Sequence, residues 1–326
     1  MHPLSGSVAT VGATTGARLM GVGAAQPPMS LTGSELGERF GRTAEWIEAR
    51  TGIQRLRRLR QHEPLIDLAA DAASSALSSA GLAGDQLDLI IAATCSTRSG
   101  SAPLGPQLVK RLAPRAATFD LNAACSGFCY GVSIADSMIR AGSARHVLVV
   151  GAERMSGLID PTDLGTGIIF GDGAGAAVLG PATDSGLAIG PVAWGSDGSQ
   201  AGLIAFPDGD PFMRMAGQQV FRWAVDKIHQ VAAVACQKAG VLPSDIQLFI
   251  PHQANLRIVD AMAKKLGMAH AIVSADIVIS GNTSAASIPI ALTRLIQSGR
   301  ARTGDLALLV GFGAGLAYAA QVVRVP

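Results

Sequence analysis

"AGLAGDQLDLII", residues 80–91, has a near-copy in "AGVLPSDIQLFI", residues 239–250, which lies 159 positions further along (80 to 239). Each copy closes a helix-like stretch on Ala-Gly, crosses a polar turn and enters a strand with matching apolar positions. A second pair behaves alike. "MIRAGSARHVLVVGAE" (138–153) resembles "LIQSGRARTGDLALLVGFG" (295–313), offset by 157 at the start and 160 at the end. The period is too long for a solenoid and reads as two copies of one α/β unit. Strands as uniformly apolar as "HVLVVGAE" and "LALLVGFG" need helices on both faces of their sheets. The expected fold is therefore α/β, two duplicated βα halves stacked as a layered α/β/α/β/α structure. Residues 1–16 read as a flexible polar extension, 17–185 as the N-terminal half and 186–326 as the C-terminal half. The first strand is expected near "ARLMGVGAA".

Of the 326 residues 48% are apolar but only 4% aromatic, and 39 are glycine. The core is thus built from Ala, Val, Ile and Leu in many short buried elements. A net charge of +2 points to neither nucleic acid nor a strongly acidic partner. No apolar run reaches the ~18 residues of a membrane span, and the opening "MHPLSGSVATVGATTG" lacks the features of a secretory signal. Cysteines at 95, 125, 129 and 236 form no disulfide framework, so a reducing cytoplasm is expected. Cys125 and Cys129, four apart, lack the further ligands of a zinc site.

"DLNAACSGFCYGV" (120–132) places Cys125 between a strand and a helix. At the 157 offset it falls opposite Asn282 in "VISGNTSAA", and "IQLFIPHQANLRIVDAMAKKLG" sets His252 at another strand-to-helix junction. A pseudo-twofold axis would bring such ends together. A free thiol has a pKa of about 8.5, and a helix N-terminus or an imidazolium can lower it to roughly 3.5–7.5. The thiolate could hold an acyl group, while His252 and Asn282 donate to a developing enolate oxygen. "GDGAGAAVLG" (171–180) and "GFGAGLAYAA" (311–320) fail as dinucleotide fingerprints and read as glycine turns between strands. "RLRRLR" (55–60) reads as a solvated basic run.

Taken together, "EWIEARTGI" (45–53), "AACSGF" (123–128), "IIFGDGAGAAVLG" (168–180), "PHQANLRI" (251–258), "GNTSAASIPIAL" (281–292) and "GFGAGLAYA" resemble the β-ketoacyl-acyl-carrier-protein synthases III of the thiolase superfamily. The actinobacterial members are the most similar, and the likeness runs from about residue 17 onward. It implies a thiolase-like fold and a cytoplasmic homodimer. It also implies a decarboxylating Claisen condensation of an acyl-CoA with malonyl-acyl-carrier protein through acyl-Cys125. His252 and Asn282 would promote decarboxylation. Backbone amides of Cys125 and Ala314 would form the oxyanion hole. Trp46 and Arg50 would bind coenzyme A, and Asn255 would support the histidine and the incoming substrate. Arg222, Arg257, Lys264 and Lys265 would receive the carrier protein. Acyl-CoA is a substrate, so neither cofactor nor metal is implied.

Several positions depart from the family pattern. Ala314 replaces a frequent glycine, and Leu164 an arginine near the adenine. The segment 197–217 is short, which would open the entrance. Ser101 and Ala102 replace a bulky aromatic, which would lengthen the acyl pocket. Two other readings remain at this stage: a priming ketosynthase or acyltransferase of a polyketide pathway, and a catalytically silent partner subunit.

Overall fold

The computed structural model describes residues 16–97, 101–113, 115–182 and 189–326. The polar extension and the 185/186 boundary lie outside the described residues or at their edge. Two five-stranded sheets carry the fold. The first orders β1 (Ala17–Ala25), β7 (Asp172–Pro181), β6 (Val147–Arg154), β4 (Leu89–Ala93) and β5 (Ala117–Leu121). The second, read in the same direction, orders β8 (Ala193–Ser196), β14 (Ala317–Arg324), β13 (Leu306–Gly313), β11 (Leu248–Pro251) and β12 (Ile272–Val273). The order and strand directions match. In each sheet the inner short strand runs parallel to both neighbours, and the remaining pairs are antiparallel.

Apart from the edge strands β5 and β8, both faces of these strands are largely buried, and the side chains alternate between layers. Ile91, Val149 and Leu309 point to a central layer, where α5 (Gly127–Arg140) and α10 (Ser287–Gln297) contribute Phe128, Val132, Ile288 and Leu292. Ile90, Leu148 and Val178 meet the outer helices α3 (Leu65–Ala80) and α4 (Leu104–Leu112). Phe249, Leu308 and Val310 meet α7 (Gly217–Ala239) and α8 (Leu256–Lys265) on the opposite outside. The result is the five-layered thiolase fold. Against one edge sits a smaller cluster made by α1 (Gly33–Phe40), α2 (Ala44–Thr51), α6 (Leu164–Gly167), α9 (Ile277–Ser280) and the ribbon β2 (Ser30–Thr32) with β3 (Arg55–Arg57).

Three expectations change. "GDGAGAAVLG" is the buried strand β7 and not a turn. A Cβ at Gly175 would sit 2.8 Å from the Ile290 nitrogen, so glycine here admits α10 against the strand. "RLRRLR" is not a solvated run, because Arg58 is buried and donates to the carbonyls of Phe170 and Gly167. Burial pushes its pKa down, which the nearby Asp172 opposes. Finally, the register between the halves at the site is 160. The turn 124–126 before α5 matches 284–286 before α10, and Ala124 and Ser284 share the left-handed conformation (φ 46° and 50°). Asn282 is therefore the counterpart of Asn122, and Cys125 that of Ala285. α5 has 14 residues and α10 has 11, so an offset of 157 anchored on the helix ends misaligns the turns before them.

Candidate active site

Cys125 stands in the tight turn that follows β5 and leads into α5. Asn122 Oδ1 accepts the Ala124 N–H (3.1 Å), and the Ser126 hydroxyl donates to Ala123 O (2.6 Å). These bonds hold Ala124 at a backbone conformation that costs a non-glycine residue about 1–2 kcal/mol. From the other half β13 passes directly behind the sulfur: a Cβ on Gly313 would lie 2.8 Å from Cys125 Cβ and 3.1 Å from Sγ. The next amide, that of Ala314, follows at this close approach. Gly315 takes the turn's left-handed position (φ 117°), so the Cβ of Ala314 is tolerated.

His252 leaves β11 buried, its ring edge-on to Phe312 (5.3 Å between centroids). Its Nδ1 lies 2.7 Å from Ser287 Oγ, and that oxygen also accepts the Gln253 N–H (3.4 Å). The serine hydroxyl can thus donate to Nδ1 while accepting from Gln253, an arrangement that puts the imidazole proton on Nε2. Burial lowers the His252 pKa to about 3, so the ring is neutral. Asn282 is fixed in the same sense. Its Oδ1 accepts the Ser284 N–H (2.9 Å), and its N–H and C=O bond Ile169 O and Gly171 N. The amide NH2 is thus its free end.

Cys125, His252, Asn282 and Ala314 line one cavity of about 730 Å³. Met155, Leu158, Ile168, Phe170, Met213 and Met215 supply an apolar wall. The resting thiol is not pre-ionised. Burial pushes Cys125 up to about 12, the Ser284 hydroxyl partly offsetting this and the Glu153 charge adding to it. The expected imidazolium partner is absent because His252 is neutral.

The family model described as 3-oxoacyl-[acyl-carrier-protein] synthase III matches residues 119–198, and that for its C-terminal part matches residues 236–325. A β-ketoacyl-[acyl-carrier-protein] synthase III 4 of Streptomyces coelicolor is 44% identical over 315 residues, spanning 95% of this chain and 99% of the relative. The chain belongs to the β-ketoacyl-[acyl-carrier-protein] synthase III family. Two solved structures superpose on this synthase with a TM-score of 0.91. The priming β-ketosynthase from the R1128 polyketide biosynthetic pathway is 41% identical, covering 95% of this chain and 96% of its own. The 3-oxoacyl-[acyl-carrier-protein] synthase III of Aquifex aeolicus is 39% identical, covering 95% and 100%.

Around the synthase's cavity the remaining expected residues divide. Arg50, Arg222, Asn255 and Arg257 line it, and the three arginines are exposed. Trp46 does not line it. The indole packs on the edge cluster beside Leu164, with the Arg50 and Arg42 guanidinium groups over its ring at 4.3 and 5.0 Å. Lys264 and Lys265 lie exposed at the far end of α8, and Lys265 is paired with Asp226 (3.4 Å). Asn255 caps α8 through the Arg257 N–H and donates to Arg50 O (3.0 Å). The histidine's support comes instead from Ser287. Ser101 and Ala102 are exposed outside the cavity, while residues 98–100 fall outside the described set. The segment 197–217 forms a wall. Its hairpin, β9 (Ile204–Ala205) with β10 (Arg214–Met215), is pinned by Arg214 to Asp210 (2.7 Å) and Asp160 (3.1 Å).

Sequence reasoning missed Ser284, Ser287 and Glu153. The signal for Glu153 was a lone carboxylate closing the otherwise apolar "HVLVVGAE".

Proposed function

We propose that this synthase condenses an acyl group from acyl-coenzyme A with malonyl-acyl-carrier protein, releasing CO2 and forming a 3-oxoacyl-carrier protein that starts a fatty-acid chain. The observation that carries this reading is the meeting of Cys125 with two correctly oriented neutral donors, His252 Nε2–H and the Asn282 amide, in one cavity. Cys125 attacks the thioester carbonyl, whose oxygen is received by the backbone N–H groups of Cys125 and Ala314. Malonyl-carrier protein then loses CO2. The enolate oxygen accepts from His252 and Asn282, each donor contributing about 3–4 kcal/mol. The carbanion attacks acyl-Cys125. Loss of CO2 itself generates the carbanion, so the chemistry needs neither metal nor cofactor.

Several features support the wider reading. Arg50, Arg222 and Arg257 at the rim suit phosphates and an acidic carrier protein, and Lys264 and Lys265 extend this field. Trp46 offers an aromatic face to adenine. The exposed edge strand β5 with Phe119 suits a second copy in a homodimer, and four free cysteines suit a cytoplasmic protein. The likeness to a priming ketosynthase favours a second reading, in which the product enters a polyketide.

A panel of acyl-coenzymes A with malonyl-carrier protein, followed by intact-protein mass spectrometry, tests the assignment. Cys125→Ala gives no adduct, and His252→Ala acylates but makes no 3-oxoacyl product. An adduct on Cys95, Cys129 or Cys236 would overturn the assignment.

A further inference from the structure

The aim of the Asn282 carboxamide depends on the residue two places further on. Its Oδ1 accepts the Ser284 N–H (2.9 Å), and Ser284 presents that N–H from a left-handed conformation (φ 50°). A residue with a Cβ stays in this region only when its surroundings hold it there. The first copy shows one way of doing so. Ala124 has the same conformation, its N–H bonds Asn122 Oδ1, and the Ser126 hydroxyl ties the turn to Ala123 O (2.6 Å). At the register of the two turns the counterpart of Ser126 is Ala286, so the second turn cannot make that tie. It makes a different one. The Ser284 hydroxyl crosses to the other half and donates to Glu153 Oε1 (3.0 Å).

Glu153 is fully buried at the end of β6. Two residues earlier, a Cβ at Gly151 would lie 2.5 Å from Ala285 O, so glycine there brings the strand hard against the 284–286 turn. The carboxylate also accepts from Thr94 Oγ1 (3.2 Å), Cys95 N (3.1 Å), Cys95 Sγ (3.4 Å) and Ser96 Oγ (2.5 Å). An ionised carboxylate can accept from all of these donors, which a side-chain amide cannot. Arg154 turns away to the carbonyls of Arg60 and Glu63. Among the described residues no Lys, Arg or His pairs with Glu153. A buried network satisfied in this way is rigid.

We propose that Glu153 is a positioning residue for condensation: through the Ser284 hydroxyl it holds the strained turn that aims the Asn282 amide at the enolate oxygen. This rests on the condensation reading above. Glu153 itself does not line the cavity, whereas Asn282 and Ser284 do. The effect of the brace is one-sided. Asn282 serves the loss of CO2, while acylation draws on Cys125 and its oxyanion amides, and the 123–126 turn has ties of its own. Without the brace the carboxamide loses its aim, and a donor displaced from the oxyanion stabilises the transition state less.

The test measures the half-reactions separately in the full-length enzyme. Intact-protein mass spectrometry follows acylation of Cys125 by an acyl-coenzyme A, and CO2 release from saturating malonyl-carrier protein follows condensation by the acylated enzyme. Ser284→Ala slows CO2 release about tenfold or more and acylation by less than about threefold. Glu153→Gln, which keeps one accepting oxygen, shows the same bias at about fivefold or more. Asn282→Ala alone costs about a hundredfold or more in CO2 release. In that background Ser284→Ala and Glu153→Gln each add less than about twofold, because the group they position is gone. Equal slowing with and without Asn282 would mean that the network only supports the fold, and would overturn the proposal. So would acylation that falls in parallel with CO2 release. Thr94→Val removes another donor to the same carboxylate and keeps both rates within about threefold; a loss as large as that of Ser284→Ala also overturns it. Should Glu153→Gln fail to fold, Ser284→Ala decides, alone and combined with Asn282→Ala. An unaltered enzyme that acylates Cys125 but releases no CO2 from malonyl-carrier protein would instead overturn the condensation reading.

Discussion

Gly313 leaves no room for a side chain, because its Cα backs onto Cys125. Even the methyl of Gly313→Ala would press within 2.8 Å of Cys125 Cβ and 3.1 Å of Sγ. Neither atom can yield, since the 123–126 turn is tied by its own hydrogen bonds. The substitution is expected to slow acylation more than tenfold and, by overpacking, to cost about 1–3 kcal/mol in urea denaturation. Unchanged acylation would show that the sulfur does not need this contact. Cys125 and His252 were legible in the sequence because each sits where a strand hands over to a helix, whereas Asn282, expected after a strand, follows the short helix α9. The protonation states were not legible. They depend on Ser287 and on how deeply His252 and Cys125 are buried, and no spacing rule reports either.

At the scale of the element, the segment 167–171 links a buried cation to Asn282. Arg58 holds its carbonyls from one side, and Asn282 bonds Ile169 and Gly171 from the other. Arg58→Met leaves two buried carbonyls without their donor, and the expected loss is about 2–4 kcal/mol in urea denaturation. Condensation should suffer more than acylation in the folded fraction, since Asn282 loses its seat and Cys125 does not. Equal losses in both half-reactions would refute this link. "RLRRLR" could not announce such a role. Burial of one arginine among four depends on a segment more than a hundred residues away, and local composition favours water. The strands were easier to read. Runs such as "LALLVGFG" admit few alternatives once both faces must be covered. The glycines of β7 misled for a related reason, because a close helix contact and a turn both favour glycine.

At the scale of the molecule, the two halves share their middle. Phe128 from α5 is fully buried in the layer that touches both sheets. Phe128→Ala should cost about 3–5 kcal/mol and lower amide-exchange protection together in β4 and in β13. A loss confined to the first sheet would mean that the halves are energetically separate. The duplication was visible from two sequence pairs because the copies keep the glycine that stops each helix. The register at the site was not visible, since the helix after the turn is three residues longer in the first copy and only backbone geometry places that difference.

Ala124 and Ser284 are one ancestral position seen twice, a methyl in one copy and a hydroxyl in the other. The hydroxyl crosses to the first half and donates to Glu153 at the end of β6. Divergence has thus turned a redundant pair into two unlike parts of one device, the second copy having no thiol of its own to serve. Substitutions in 122–125 and 282–285 should consequently show strong epistasis, so that the effect of a change in one turn depends on which residues occupy the other.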